Sequence, residues 1–249
     1  MRFPLMIAGV LGLLLASLSP AGAQDLSIDL SAREVAVTVD FAGADVVLFG
    51  AADGAGDVIV EVRGPSRAEA VRRKDRVAGI WLNRETMVFD GVPAFYAIAG
   101  SRPLPDILTP AARAEAGIGV EHLGLVAPQG VAPAEAEAFR KALIRNNQAA
   151  GLFPREAGEV VFPGGRLFRT DIRFPANAAV GPYEVTVHLV RDGRAVDTTR
   201  TQLTLSRVGF EAGMYDLAFD HASLYGGLAI IVAVMAGWLA NLFFRSRKA

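Results

Sequence analysis

The side chains able to do chemistry are few, and their spacing sets the first limits on function. The chain has no cysteine and three histidines, His122, His188 and His221. The histidines stand far apart, with no His-Glu-x-x-His run and no paired-ligand spacing, so no metal site is predicted. No Gly-x-Ser-x-Gly elbow, Walker loop or dinucleotide fingerprint occurs, and "GIGVEHLG" at 117–124 has the wrong glycine spacing for the last. Asp53 and Asp57 flank a glycine-rich turn without the alternating oxygen ligands of a calcium loop. His188 falls in a strand, where a polar-face residue is the commoner outcome. No catalytic residue and no cofactor is predicted, and the expectation is a protein that is not an enzyme.

One cluster does stand out. "RRKDRVAGIWLN" places Arg72, Arg73, Lys74 and Arg76 just before an apolar strand carrying Trp81. From Asp25 to Glu61 there are eight acids and one base, whereas Arg63 to Arg84 holds seven bases and two acids. Either the two patches lie together and neutralise each other, or the four cations meet an anion, a partner's acidic face or lipid headgroups. Mixed sign and the flanking Gly64-Pro65 predict a solvated loop, with Trp81 in the core behind it. The overall net charge of −1 argues against nucleic acid as a partner.

The ends of the chain place these residues. "MRFPLMIAGVLGLLLASLSPAGAQ" reads as a secretory signal peptide, 1–23, cut before Gln24. Residues 224–244 form an uncharged apolar run long enough to cross ~30 Å of hydrocarbon as a helix. Arg245, Arg247 and Lys248 follow it and predict a cytoplasmic tail, 245–249, with the body of the chain on the other side. A periplasmic domain at 24–213, a juxtamembrane stretch at 214–223 and one transmembrane helix in a bacterial inner membrane are expected. The lack of cysteine suits that compartment. Ala229, Ala233, Gly237 and Asn241 recur every four residues and form a candidate helix–helix interface, since small residues allow close approach and Asn can bond across it.

Between these ends most segments read as strands. "EVAVTVDF", "ADVVLFGA" and "DVIVEVRG" alternate or run apolar, and "VAGIWLN", "TMVFDGV" and "AFYAIAG" supply three more, with Gly91 in a turn between the last two. A helical insertion interrupts them at about 103–151. Thr109 and Pro110 start one helix and Gly117 ends it. Pro133 and Gly151 bound a second, whose shared face is Ala136, Phe139, Leu143 and Ala150. Strands then return, and Asp192-Gly193 signals a hairpin. Pairing outward from that turn sets Leu189 opposite Val196, which would put Leu203 and Leu205 on the wrong face. A β-bulge near 199–201 is therefore predicted. The Gly-Pro-Tyr start, with Tyr183 near a corner, resembles a late strand of an immunoglobulin-like sandwich, although any antiparallel sandwich would alternate in the same way. The predicted fold is mainly β, a periplasmic β-sandwich with a helical insertion and one C-terminal transmembrane helix.

"DVVLFGA", "VRRKDRVAGIWLN", "GVPAFYAIAGSRPL", "FRKALIRNNQAAGLF", "LFRTDIRFPANAAVGPYEVTVHLVRDG" and "LYGGLAIIVAVMAGWLANLFF" together resemble the alphaproteobacterial putative transmembrane protein family over nearly the whole mature chain. The resemblance implies a membrane-anchored periplasmic protein and an association with sulfite-exporter-type permeases. It carries over no catalytic residue. The expected function is an accessory or interaction module, with the lipid bilayer and a membrane transport protein as partners. The alternative is a periplasmic domain that binds or senses an anion or other solute.

Overall fold

Strands with alternating apolar residues bury one face, and two such sheets meet here. The computed structural model describes residues 25–77, 80–208, 219 and 222–245. The signal segment 1–23 and most of the juxtamembrane and tail stretches lie outside the described residues. Strands β1 (Leu26–Leu30), β3 (Gly43–Ala52), β9 (Val161–Gly164) and β10 (Leu167–Pro175) form one sheet in the order β1-β3-β10-β9. Strands β2 (Glu34–Val37), β4 (Asp57–Arg63), β7 (Tyr96–Gly100), β8 (Gly158–Glu159), β11 (Gly181–Arg191) and β12 (Arg194–Arg207) form the other, ordered β2-β12-β11-β4-β7-β8. Leu48, Phe168 and Phe174 from the first sheet close on Val60, Tyr183 and Leu203 from the second.

This is the order of an immunoglobulin-like sandwich. The first sheet follows ABED, and β12, β11 and β4 follow GFC. The predicted corner is present: the Tyr183 hydroxyl donates to the Ala179 carbonyl at 2.6 Å, and burial pushes that phenol up to about 12. Asp192 (φ 50°) and Gly193 (φ 71°) make the two-residue turn between β11 and β12. The bulge lies elsewhere than predicted. Leu189 faces Asp197 and Val190 faces Ala195, so Val196 is the extra residue, beside the turn rather than at 199–201. From there Tyr183 faces Leu203, and both point into the core. Placing the bulge at the turn corrects the register along the whole strand, not only its last third.

β4 is buried from Val58 to Val62, on both faces, because a second layer covers the six-stranded sheet. That layer contains α1 (Leu104–Ile107), α2 (Pro110–Ala116), a 3-10 turn (Val120–His122) and α3 (Pro133–Ala149). Thr109 caps α2 by accepting from the Ala112 N–H at 3.2 Å, and Gly117 (φ 67°) ends it in the left-handed region, as predicted. Gly151 (φ 71°) follows the end of α3. The buried stripe of α3 is Phe139, Leu143 and Asn147, and Ala150 is exposed. An asparagine holds the last stripe position because its amide donates to Glu69 at 2.7 Å and to the Leu143 carbonyl at 3.2 Å.

The largest departure from expectation is the basic stretch. It is a strand, not a loop. β5 (Ser66–Val77) pairs antiparallel with β6 (Ile80–Pro93) to form a two-stranded ribbon that joins no other sheet among the described residues. β6 merges two predicted strands into one. Gly91 is no turn between strands but a bulge inside β6, with φ 76° and Asp90 and Gly91 together facing Ala68. The bulge coincides with a bridge from Asp90 to Val126, which ties the ribbon to the second layer. Val71, Met87 and Phe89 pack there with Ile118, Leu143 and Phe153. Finally, α4 (Ala222–Arg245) is long and apolar enough to cross a membrane, and none of its window Ala222–Leu239 is buried.

Candidate functional site

The strand "DVIVEVR" carries two acids at one parity, Asp57 at its start and Glu61 near its end, and the fold builds a polar cluster around Glu61. Glu61 is 2% exposed. The Tyr96 hydroxyl, from β7, donates to Glu61 Oε1. The Gly119 N–H, from the loop after α2, donates to the Tyr96 hydroxyl at 3.0 Å and lies 3.4 Å from Glu61 Oε1. Gly119 holds φ 108°, a region that L side chains rarely adopt, so glycine suits this approach. Arg63 reaches Glu61 at 3.5 Å, donates to the Gly117 carbonyl at 2.8 Å and lies over the Tyr96 ring. His188, on β11, brings Nε2 to 3.4 Å from Glu61 Oε2, within ion-pair distance but without hydrogen-bond alignment. Its Nδ1 sits 3.0 Å from the Thr198 hydroxyl.

Burial alone would raise the Glu61 carboxyl. His188, the Tyr96 hydroxyl and the Arg63 charge outweigh that and hold it below the ordinary glutamate range. Burial, reinforced by the adjacent carboxylate, pushes the Tyr96 phenol far up. Glu61 is thus an ionised acceptor and Tyr96 a permanent donor. A cleft of about 470 Å³ reaches Tyr96 and is lined by Phe95, Phe153, Arg173 and Phe174, but neither Glu61 nor His188 lines it. The cluster joins β4, β7 and β11 to the loop that covers them. Sequence reasoning did not single out Glu61. The available signal was that "VIVEV" is apolar at both parities, so both faces must be covered and its one acid buried.

The structure places the predicted cations on β5. Alternation puts Arg72, Lys74 and Arg76 on one face of the ribbon and Arg73 on the other. Arg73 pairs with Glu85, lies 3.9 Å from Glu135 and stacks 5.3 Å over the Phe139 ring, so it fastens the ribbon to α3. Arg72 and Lys74 are exposed and make no ion pair among the described residues. Five of the eight acids of the first third pair with arginines outside the ribbon: Asp25 with Arg191, Asp29 with Arg33, Asp45 with Arg173, Asp53 with Arg166 and Asp57 with Arg102. Trp81 lies opposite Arg76 in the register, and its side chain is outside the described residues. On α4, Ala229, Ala233 and Gly237 are exposed along one stripe, while the Asn241 side chain is outside the described residues.

Residues 25–246 match the family described as "Putative transmembrane protein (Alph_Pro_TM)". No curated protein and no solved structure matches the chain.

Proposed function

For a chain that belongs to the Alph_Pro_TM family of transmembrane proteins, we propose a single-pass bacterial inner-membrane protein whose immunoglobulin-like domain is held in the periplasm as a non-enzymatic accessory module. The observation that carries this is α4. It has a length and composition fit to span a bilayer, and its described side chains are exposed rather than spent on the core. The tail cations set its orientation. Its partner is an integral membrane transport protein, for which the resemblance points to a sulfite-exporter-type anion permease. Ala229, Ala233, Gly237 and Asn241 are the face that meets it, since small residues let two helix backbones approach closely.

Photo-crosslinkers placed in intact membranes test this. Adducts with a polytopic transport protein are expected from Ala233 and Gly237 and not from Ile231 and Met235, which face away. Equal yields from both faces, or adducts only with lipid, would reject the partner. The second reading, a domain that binds a soluble anion, draws support from exposed Arg72 and Lys74. A melting shift of the full chain with sulfite or sulfate, absent with chloride at equal ionic strength, would favour it.

A further inference from the structure

The two features the sandwich does not need for its own core leave it at the same end. β12 ends at Arg207 and leads to α4. Two residues earlier, Leu205 pairs with Gly181 at the start of β11. Gly181 lies against Pro65, where the chain passes from β4 into the ribbon. The neighbouring pair Glu184 and Arg63 fixes the end of β4 beside the start of β11. The ribbon root and the exit toward the anchor are therefore about 10 Å apart, two strand spacings. The segment 208–221 spans at most ~50 Å when fully extended. β5 is itself ~40 Å long at ~3.3 Å per residue. A ribbon of that length, rooted beside so short a tether, has the membrane surface within reach.

Its two faces are differently committed. One packs through Val71, Met87 and Phe89 onto the second layer and holds Arg73 against Glu85 and Glu135. The other carries Arg72 and Lys74, exposed, opposite Thr86 and Asn83. Five acids of the first third, Asp25, Asp29, Asp45, Asp53 and Asp57, are taken by Arg191, Arg33, Arg173, Arg166 and Arg102.

We propose that the outward face of the β5–β6 ribbon docks on the anionic headgroups of the membrane in which the chain is anchored, and so fixes the tilt of the domain on the bilayer. This rests on the anchored reading above. A basic residue near an anionic surface strengthens binding about five-fold, which is weak for a free protein. Tethering removes that weakness, because the membrane is then present at a high effective concentration.

The absence of cysteine allows a clean test. Thr86→Cys places a fluorophore on the same face as Arg72. The full chain is reconstituted in nanodiscs of phosphatidylcholine, with or without phosphatidylglycerol, containing headgroup-nitroxide lipid as quencher. Ser223→Cys, at the start of α4, is the control for anchoring. Quenching at position 86 is expected in the anionic discs and not in the neutral ones. It should fall in ~0.5 M salt, where the screening length is about 4 Å. The Arg72→Gln/Lys74→Gln variant should lose it, with a docked-to-free ratio down about 30-fold, and Arg72→Lys/Lys74→Arg should restore it.

A label at 86 that is equally quenched in neutral and anionic discs, or unquenched in both while 223 is quenched, would overturn the proposal and leave the anchor intact. No quenching at 223 would overturn the anchored reading itself. Loss of quenching with millimolar sulfate but not with chloride at matched ionic strength would assign the cations to a free anion and reject the lipid.

Discussion

Tyr96→Phe should loosen the second layer from the sheet. The substitution keeps the ring, its packing against Phe153 and its contact with Arg63. It removes one O–H. Glu61, 2% exposed, then loses its closest donor, and no water can replace it without opening the layer. The Gly119 N–H loses its acceptor at 3.0 Å but retains Glu61 Oε1 at 3.4 Å, so part of the loss is recovered. A hydrogen bond to a charged group contributes about 1.5–3 kcal/mol. The expected cost is about 2 kcal/mol, or roughly 5 °C in melting temperature for a domain of this size. The assay is thermal unfolding of the full chain in detergent, followed by near-ultraviolet circular dichroism. If the hydroxyl acts through Glu61, Tyr96→Phe should cost little more in a Glu61→Leu background. A Tyr96→Phe variant that melts within a degree of wild type, or two changes that simply add, would refute the cluster as the joint between layers.

The pH dependence follows from the same carboxylate. The folded pKa of Glu61 is held below its unfolded value of ~4.3, so the native state binds fewer protons between the two. The contribution is present above the unfolded value and lost as pH falls through the folded one; melting temperatures taken downward from pH 5 should decline less in Glu61→Gln than in wild type. Phe174→Ala empties a fully buried site between Phe95 and Tyr183 and should cost about 3–5 kcal/mol in chemical denaturation. Gly50→Ala would bring a Cβ to 2.4 Å from the Ser27 carbonyl oxygen and should prevent normal folding, seen as loss of protease resistance. Arg72→Gln and Lys74→Gln should each change stability by less than about 0.5 kcal/mol, whereas Arg73→Gln, with its ion pairs and ring contact, should cost about 1 kcal/mol.

Local signals carried much of this architecture. The Asp192-Gly193 turn, the Thr109 cap, Gly117 and Gly151 at helix ends, and Tyr183 at the corner are each fixed by a backbone need that a few neighbouring residues reveal. The alternation of Val185, Val187 and Leu189 gave the face of β11, and Leu203 and Leu205 showed that the hairpin needed an extra residue. They did not say where, because a bulge anywhere between the turn and Leu203 restores their facing. The ribbon was hidden by the flanking Gly64-Pro65 and the mixed charges around Arg72, Arg73, Lys74 and Arg76, which read as loop chemistry although pairing with β6 satisfies the backbone. Asn147 and Glu61 share one difficulty. Each is polar within a buried stripe, and the partner that makes burial tolerable comes from a distant strand. The α3 stripe therefore read as Ala150 where Asn147 turns inward to Glu69. The candidate cations were legible as residues, but their division between two faces depends on strand pairing.

The proposed accessory role requires the chain to cross the membrane once with its immunoglobulin-like domain outside. The most direct measurement is a reporter active only in the periplasm, fused after Gly213 or after Ala249 in intact cells. The account predicts activity for the Gly213 fusion and none for the Ala249 fusion. An active Ala249 fusion together with a silent Gly213 fusion would contradict it.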